Sequence, residues 1–361
     1  MSNKIKKDFN NYTPLTILGL MSGTSLDGLD LALCDFHVSN NEFFYKIVKT
    51  QTFEYNQRLT ERLRKLFCSS ALNFCKVEVE FSNFMAQCIN QFLKNAVKKP
   101  QYIASHGHTV FHQPEKGLTK QIGSGAILAS KTDISTICDF RTTDVALKGQ
   151  GAPLVPIGDA LLFHQYNGCL NLGGIANISS HNNNLSKAHD ISLCNITLNF
   201  LARQCGHLFD KNGALAQNGT VNELLLEALN KPDFFTHNTK KSIGFEFFAS
   251  YYQPLLDSFS ISGEDKLRTF CEHIAIQIAS NLKGLKTVLV TGGGAKNSFL
   301  VKLIKEKTEA TIIIPDDQLI DFKEALIFAF LGYLRIHETC NCLQSVTGAL
   351  KNSCGGAVYK A

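Results

Sequence analysis

Several familiar signatures are missing from this chain of 361 residues. No Gly-Lys-Ser/Thr triplet occurs, and no Gly-x-Gly-x-x-Gly, so P-loop nucleotide hydrolases and Rossmann dehydrogenases lose their main support. The 12 cysteines are scattered from Cys34 to Cys354 without a single Cys-x-x-Cys, which argues against a disulfide framework or a zinc knuckle. Only Cys340 and Cys342 lie close together, and they are expected to be solvent-exposed thiols without function. The most apolar helical stretch, Ala325–Leu334, is far shorter than the ~20 residues that cross a bilayer. The polar segment Met1–Tyr12 lacks the apolar centre of a signal peptide. These absences together predict a reduced, soluble, cytoplasmic protein. A concentrated basic patch is missing too: the net charge of +5 is diffuse, which excludes the usual nucleic-acid footprint.

What is present is an ordinary globular composition, 44% hydrophobic and 19% charged, long enough for two domains. An apolar segment, Leu15–Met21, is followed by the small-residue turn 22–28 and by alternating leucines at 29, 31 and 33, which predicts two strands around a tight turn. Phe43–Thr52 adds a strand, Gln57–Phe67 and Lys76–Lys98 have helical spacing, and Gln101–Ser105 is a short strand leading to His106. The opening pattern recurs at Cys169–Ser179 around Gly173-Gly174. Helices are expected at Asn195–Cys205, Val221–Asn230, Glu264–Leu282, Asn297–Lys307 and Asp321–Ile336, with strands at Lys286–Val290 and Thr311–Ile314. Two glycine hairpins, each followed by helices, suggest two related halves. The Gly- and Pro-rich segment Asp139–Pro156 is the expected crossing, which gives domains at 1–138 and 139–339 with 340–361 returning to the first.

Four groups of residues carry chemistry. The loop Gly23-Thr-Ser-Leu-Asp-Gly28 offers backbone N–H groups and hydroxyls to an anion, and Asp27 within it implies Mg2+, directly or through water. A plain Asp-Gly hairpin reads equally well. Thr291-Gly-Gly-Gly-Ala-Lys-Asn297 follows a strand and opens a helix, an arrangement that aims N–H dipoles at a nucleotide, although a simple tight turn also fits. His106, His108 and His112 invite a zinc hypothesis, since 106 and 108 share a face of an extended chain, but no fourth ligand follows. Internally bonded or substrate-contacting histidines in a polar loop fit better. Asp190, ahead of an apparent helix start at Cys194–Asn195, is either a turn or N-cap carboxylate or a general base.

Taken in order, the segments Gly19–Asp30, Ser105–Pro114, Asp139–Asp144, Gly149–Pro156, Asn171–Ile178, Thr291–Asn297 and Lys323-Glu-Ala325 resemble the anhydro-N-acetylmuramic acid kinase family. The resemblance implies an α/β, two-lobed actin-like fold, a duplicated ribonuclease-H-like sheet with ATP in the interlobe cleft. It implies hydrolytic opening of 1,6-anhydro-N-acetylmuramic acid with phosphorylation of O6, giving N-acetylmuramic acid 6-phosphate and ADP in peptidoglycan recycling. On the matching positions, Gly23, Thr24, Ser25, Leu26, Asp27, Gly28, Leu29 and Asp30 would hold the ATP phosphates and Mg2+, and Gly292, Gly293 and Gly294 the adenosine side. Asp190 would be the base with Glu324 as the second catalytic carboxylate, and His106, His108 and Gln150 would meet the sugar. The family also implies a homodimer. Three places depart from its pattern: Asp190-Ile-Ser-Leu-Cys-Asn195 replaces Asp-Thr-Gly-Pro-Gly-Asn, His108 stands for Gln, and Lys148 for Gly. A kinase of another small sugar, or a non-catalytic ATP-binding regulator on the same fold, are the alternative readings.

Overall fold

A computed structural model describes residues 9–23, 26–182, 185–236 and 243–361. The chain divides into two compact units. One comprises Met1–Phe163, Asn184–Ser186 and Phe322–Ala361, the other His164–Asn183 and Lys187–Asp321.

The first unit is built on strands β1 (Leu15–Ser22), β2 (Gly28–Ser39), β3 (Glu42–Glu54), β4 (Tyr102–Gln113), β5 (Leu118–Ile122) and β6 (Thr136–Cys138), with β12 (Ala357–Tyr359) at one edge. Their order is β12-β6-β4-β1-β2-β3, and β5 pairs with β4. β1 is antiparallel to β2 and parallel to β4, which is parallel to β6. β1 reads almost continuously apolar because both of its faces are covered. Leu18 and Leu20 join a core with Phe81, Met85 and Ile89 of the helix Ala71–Lys94. That helix begins five residues before the expected Lys76, because the Ser70 hydroxyl accepts the Asn73 N–H at 3.3 Å and caps it.

The opposite face of this sheet meets the helix Asp317–Ile336 through small residues. A Cβ on Gly19 would lie 1.9 Å from the Ala325 carbonyl oxygen, and one on Gly332 2.6 Å from the Ala104 Cβ. Helix and strand therefore approach closely, and the buried run Ala325–Leu334 fills the seam.

The second sheet is built from β7 (Gly168–Leu172), β8 (Ile175–Asn182), β9 (Leu185–Leu193), β10 (Thr287–Thr291) and β11 (Thr311–Ile313), ordered β11-β10-β7-β8-β9, and all but the first two residues of β9 belong to the second unit. β7 is antiparallel to β8 and parallel to β10, which is parallel to β11. Counted within each unit, the second sheet runs 3-2-1-4-5; the first runs 3-2-1-4-6 with β12 beyond, its fifth strand β5 lying off that path on β4, and in both the second strand is antiparallel to the first. This is the duplicated ribonuclease-H-like sheet that the resemblance implied.

The units divide at Phe163/His164 and Asp321/Phe322, which corrects the expected boundaries at 138/139 and 339/340. The segment after Asp139 is not a crossing. It forms the helices Thr142–Ala146 and Val155–Leu162, and buried Asp144 ties it to the C-terminal residues of the first unit. The cysteines are all unpaired. Cys342 is buried and donates to Asp144 Oδ1 at 3.1 Å, so the expectation of an exposed thiol fails there. No helix among the described residues is long and apolar enough to cross a membrane.

Candidate functional site

In the first unit, β1 and β2 meet in the glycine turn. The Leu26 N–H donates to the Gly23 carbonyl at 3.3 Å, and Leu26 takes the left-handed conformation at φ 60°. Thr24 and Ser25 lie outside the described residues. Gly28 is required by packing: a Cβ there would sit 2.7 Å from the Phe53 carbonyl oxygen on β3. Asp27 is exposed beside the turn, Leu29 is buried, and Asp30 accepts the Thr52 hydroxyl at 2.6 Å. The exposed Asp27 carboxylate is a single oxygen ligand of the hard kind that Mg2+, which keeps several waters, accepts.

His106 and His108 lie within β4, not in a polar loop, and they do not share a face. Gly107 adopts φ 73°, and the β1–β4 register shifts beside it, so the alternation of the strand is broken. His106 packs on Phe328 of the helix Asp317–Ile336, with ring centroids 4.6 Å apart. His108 turns instead toward Phe81 at 6.1 Å and bonds through Nδ1 to Ser22 Oγ at 3.0 Å. Ser22 Oγ also accepts the Tyr55 hydroxyl at 2.7 Å. Burial lowers the His108 pKa to about 4, leaving a neutral ring. With Leu26, Arg64, Phe67 and Thr109 it lines a cavity of about 280 Å³. The zinc hypothesis gains nothing: among the described residues, no group of three His, Cys, Asp or Glu side chains could hold a metal ion.

A polar cluster surrounds His106. Its Nδ1 bonds to the Gly107 carbonyl at 2.9 Å, while Nε2 accepts Arg141 Nε at 3.0 Å and Nη2 at 2.9 Å. Desolvation first, then the Arg141 charge, holds the His106 pKa well below its ordinary value. Arg141 Nη1 reaches the Gly151 carbonyl at 2.6 Å. The same loop is pinned by Asp144, whose Oδ2 accepts the Gly151 N–H at 2.8 Å and whose Oδ1 accepts the Thr347 hydroxyl at 2.8 Å. Gln150 is exposed, and its backbone N–H donates to the Thr347 carbonyl at 2.9 Å.

Glu324 stands one helical turn before Phe328, and its electrostatic partners include Arg141 and Lys323. The side chain is open to water. Desolvation by the dense protein around it nevertheless pushes its pKa up against Arg141 and Lys323, and direct water access tempers that rise. Lys323 is buried and paired with Asp159 at 2.7 Å.

In the second unit, the turns after β7 and β10 lie against each other. The Gly173 and Gly174 carbonyls accept the N–H groups of Asn195, Cys194 and Ile196, which seats the start of the helix Asn195–Gln204. A Cβ on Gly292, at φ 83°, would fall 2.4 Å from Asn171 Oδ1, and one on Gly294 2.8 Å from the Leu172 Cβ. Asn195 Nδ2 donates to the Leu172 carbonyl at 3.1 Å and lies beside Gly293 and Gly294. Gly293–Lys296 form a 3-10 turn before Asn297, whose side chain caps the helix Ser298–Lys307. A side chain at Gly292 or Gly294 would break this close stacking of backbones, whereas one at Gly293 would meet only Asn195 Nδ2 at 3.7 Å.

Asp190 is neither a turn nor an N-cap residue. It is the sixth residue of β9, half-buried, and its Oδ2 accepts the Ile243 N–H at 3.0 Å. The following helix starts after Cys194, which supplies no side-chain cap.

Comparison with known proteins decides what this geometry belongs to. The model of the family described as Anhydro-N-acetylmuramic acid kinase matches residues 15–361. This chain belongs to the anhydro-N-acetylmuramic acid kinase family. Among relatives of that name, one from Mannheimia succiniciproducens is 35% identical over 95% of this chain and 98% of its own length. Another, from Sulfurimonas denitrificans, is 32% identical over 95% and 99%. Among solved structures, component A of (R)-2-hydroxyglutaryl-CoA dehydratase from Acidaminococcus fermentans is similar at a TM-score of 0.46 and 13% identity, over 90% of this chain and 99% of that one.

Set beside the family's segments, the structure gathers His106, the Gly149–Gly151 loop and Glu324 in the first unit, and Asn171, Asn195 and Gly292–Gly294 in the second. Sequence reasoning gave no role to Arg141, Asp144, Asn171 or Asn195. Arg141 and Asp144 did lie in a recognised segment, Asp139–Asp144, and a charged pair at that spacing was the available signal.

Proposed function

We propose that this chain is a kinase that consumes ATP, water and 1,6-anhydro-N-acetylmuramic acid and releases N-acetylmuramic acid 6-phosphate and ADP, in peptidoglycan recycling. The family match over residues 15–361 carries this reading. Retention of Asp27, Asp190 and Glu324 supports turnover, because a regulator that only bound nucleotide would have no use for a base.

In the reaction, water attacks the anomeric carbon, the bond from that carbon to O6 breaks, and O6 takes the γ-phosphoryl group as ADP leaves. No separate acid is needed when O6 passes directly to phosphorus. Asp190 accepts the proton of the attacking water. Its Oδ2 accepts the Ile243 N–H at 3.0 Å, which orients the carboxyl group. Glu324 serves as the second carboxylate at the sugar; desolvation raises its pKa, and Arg141 and Lys323 oppose that rise. The residues Gly23–Asp30 hold the phosphates, and Gly292–Gly294 the adenosine side. When bound at Asp27, Mg2+ neutralises charge on the transferring group.

The test is ADP release with and without the anhydrosugar, together with mass analysis of the sugar product. A product heavier by one water and one phosphoryl group supports the reading. Sugar-independent ADP release, or phosphorylation with the ring still closed, would refute it.

A further inference from the structure

Sequence and family pattern pointed to His106 as a sugar contact, yet the structure leaves it no ring nitrogen to offer. Nδ1 carries the proton and donates it to the Gly107 carbonyl, and Nε2 accepts two N–H groups from Arg141. His106 therefore acts as the rear support of a guanidinium. Arg141 has five N–H donors. Nε and one N–H of Nη2 are taken by His106, and one N–H of Nη1 by the Gly151 carbonyl. One N–H on Nη1 and one on Nη2 remain, on a side chain that is half-buried and still reachable by solvent.

The mount is rigid. The Phe328 ring backs His106, and Asp144 fixes Gly151 from the other side. Burial lowers the Arg141 pKa only to about 10, so the guanidinium stays charged at neutral pH. A charged planar fork held by three hydrogen bonds to two partners, with Glu324 as its main charge partner and donors left over, suits recognition of an oxyanion.

We propose that Arg141 reads an oxyanion of the substrates through these two N–H groups, and that the oxyanion is the carboxylate of the acidic sugar. The assignment rests on the proposed function, because it is the lactyl ether of N-acetylmuramic acid that carries a carboxylate. It goes beyond that function by naming the group that selects the acidic sugar over the same anhydrosugar without the lactyl ether.

The experiment measures kcat and KM of wild type, Arg141→Lys, Arg141→Gln, His106→Asn and the double variant His106→Asn/Arg141→Gln. The substrates are 1,6-anhydro-N-acetylmuramic acid and 1,6-anhydro-N-acetylglucosamine, with ATP titrated separately. Thermal midpoints and calorimetric ATP binding show which variants are folded. For Arg141→Gln the expected result is a rise in KM of ~10- to 100-fold for the acidic sugar, in line with loss of a charge-assisted bidentate contact, and little change for the neutral sugar. Arg141→Lys should recover part of that loss. The double variant should be no worse than Arg141→Gln, because His106 acts through Arg141.

Equal losses on both sugars would overturn the proposal and leave Arg141 a positioning residue only. A rise confined to the KM of ATP would overturn the sugar assignment and give the oxyanion to the nucleotide. Additive losses in the double variant would overturn the supporting role of His106. If wild type turned over neither sugar but bound the acidic one, with binding lost in Arg141→Gln, the proposed reaction would fail while the oxyanion assignment stood.

Discussion

The close seam between β1 and the helix Asp317–Ile336 makes Gly19→Ala the sharpest structural test of how Glu324 is placed. A methyl group at Gly19 would sit 1.9 Å from the Ala325 carbonyl oxygen, a contact that must open to at least 3.0 Å. The obstacle is helix backbone next to Glu324, so no side-chain rotation can relieve it. The helix must retreat by about 1 Å at this turn, and Lys323 and Glu324 move with it. Overpacking of this kind costs ~1–3 kcal/mol of stability. A displacement near 1 Å at a catalytic group costs ~100-fold in rate.

The matched control is Gly332→Ala, which also overpacks, against the Ala104 Cβ at 2.6 Å. It lies eight residues further along the helix, about 12 Å from Glu324 along the axis. Both variants should lose thermal stability, and only Gly19→Ala should lose most of its turnover, with nucleotide binding retained. The assay is steady-state ADP release with saturating anhydrosugar, beside a thermal midpoint for each protein. Near-normal turnover in Gly19→Ala, or losses that merely track the two midpoints, would refute the claim that β1 sets the position of Glu324.

Three further outcomes are expected. Asp190→Asn keeps the size and the Ile243 contact but cannot take a proton, so ring opening and phosphorylation should fall together by ~10²–10⁴-fold, the usual range for a positioned base. Ring opening that survives without phosphoryl transfer would show the two steps to be separable. Asp27→Asn should lower turnover by ~100-fold at saturating Mg2+, as loss of a group that orients the metal would, and unchanged turnover would sink that role. Burial lowers the pKa of His108 to about 4 and that of His273 to about 3, from an ordinary 6.5. Both rings are neutral in the folded protein and take up protons on unfolding below pH 6.5. Their contribution is complete above that pH and is lost as pH falls toward 4 and 3, about 2 kcal/mol each by pH 5. Urea midpoints at pH 7.5 and 5.0 should therefore differ less in His273→Gln than in wild type, and an unchanged difference would contradict the assignment.

The sheets were legible in the sequence wherever a strand had one dominant signal. β1 is nearly all apolar, and β7 and β10 each run into glycines, so each was placed within a residue or two; β2 alternates, and its start was placed within one residue although it runs three further, to Ser39. β9 was missed. Leu185–Leu193 mixes Lys187, His189 and Asp190 among apolar residues, and a half-buried edge strand of that kind resembles a polar turn when read alone. Asp190 was therefore found through the family pattern and misplaced in local structure. The His106/His108 pair failed for a different reason. Alternation assumes regular β geometry, and a single left-handed Gly107 sent the two rings to opposite faces. The 163/164 boundary was hidden because its cause is long-range: Asp144 bonds to Thr347, two hundred residues away in sequence.

What was legible and what was not follows one physical rule. In open sheets with parallel central strands, groups that meet ligands gather just past the carboxyl ends of those strands. Here β1 ends at Ser22 before Gly23, β7 at Leu172 before Gly173, and β10 at Thr291 before Gly292. All three exits carry glycine, because backbone must turn sharply there and approach other backbone closely, so sequence alone marked them. β4 is the remaining central strand. It does not stop beside the end of β1 but continues through Gly107 to Gln113, taking a bulge in place of a turn. At that strand the rule still locates the chemistry, but the residue type does not announce it. His106 ends its search for partners on Arg141, a residue brought to it from beyond β6. Where backbone must turn sharply and pack closely, glycines write the turn into the sequence; where side chains converge from distant segments, only the folded structure shows which of them meet.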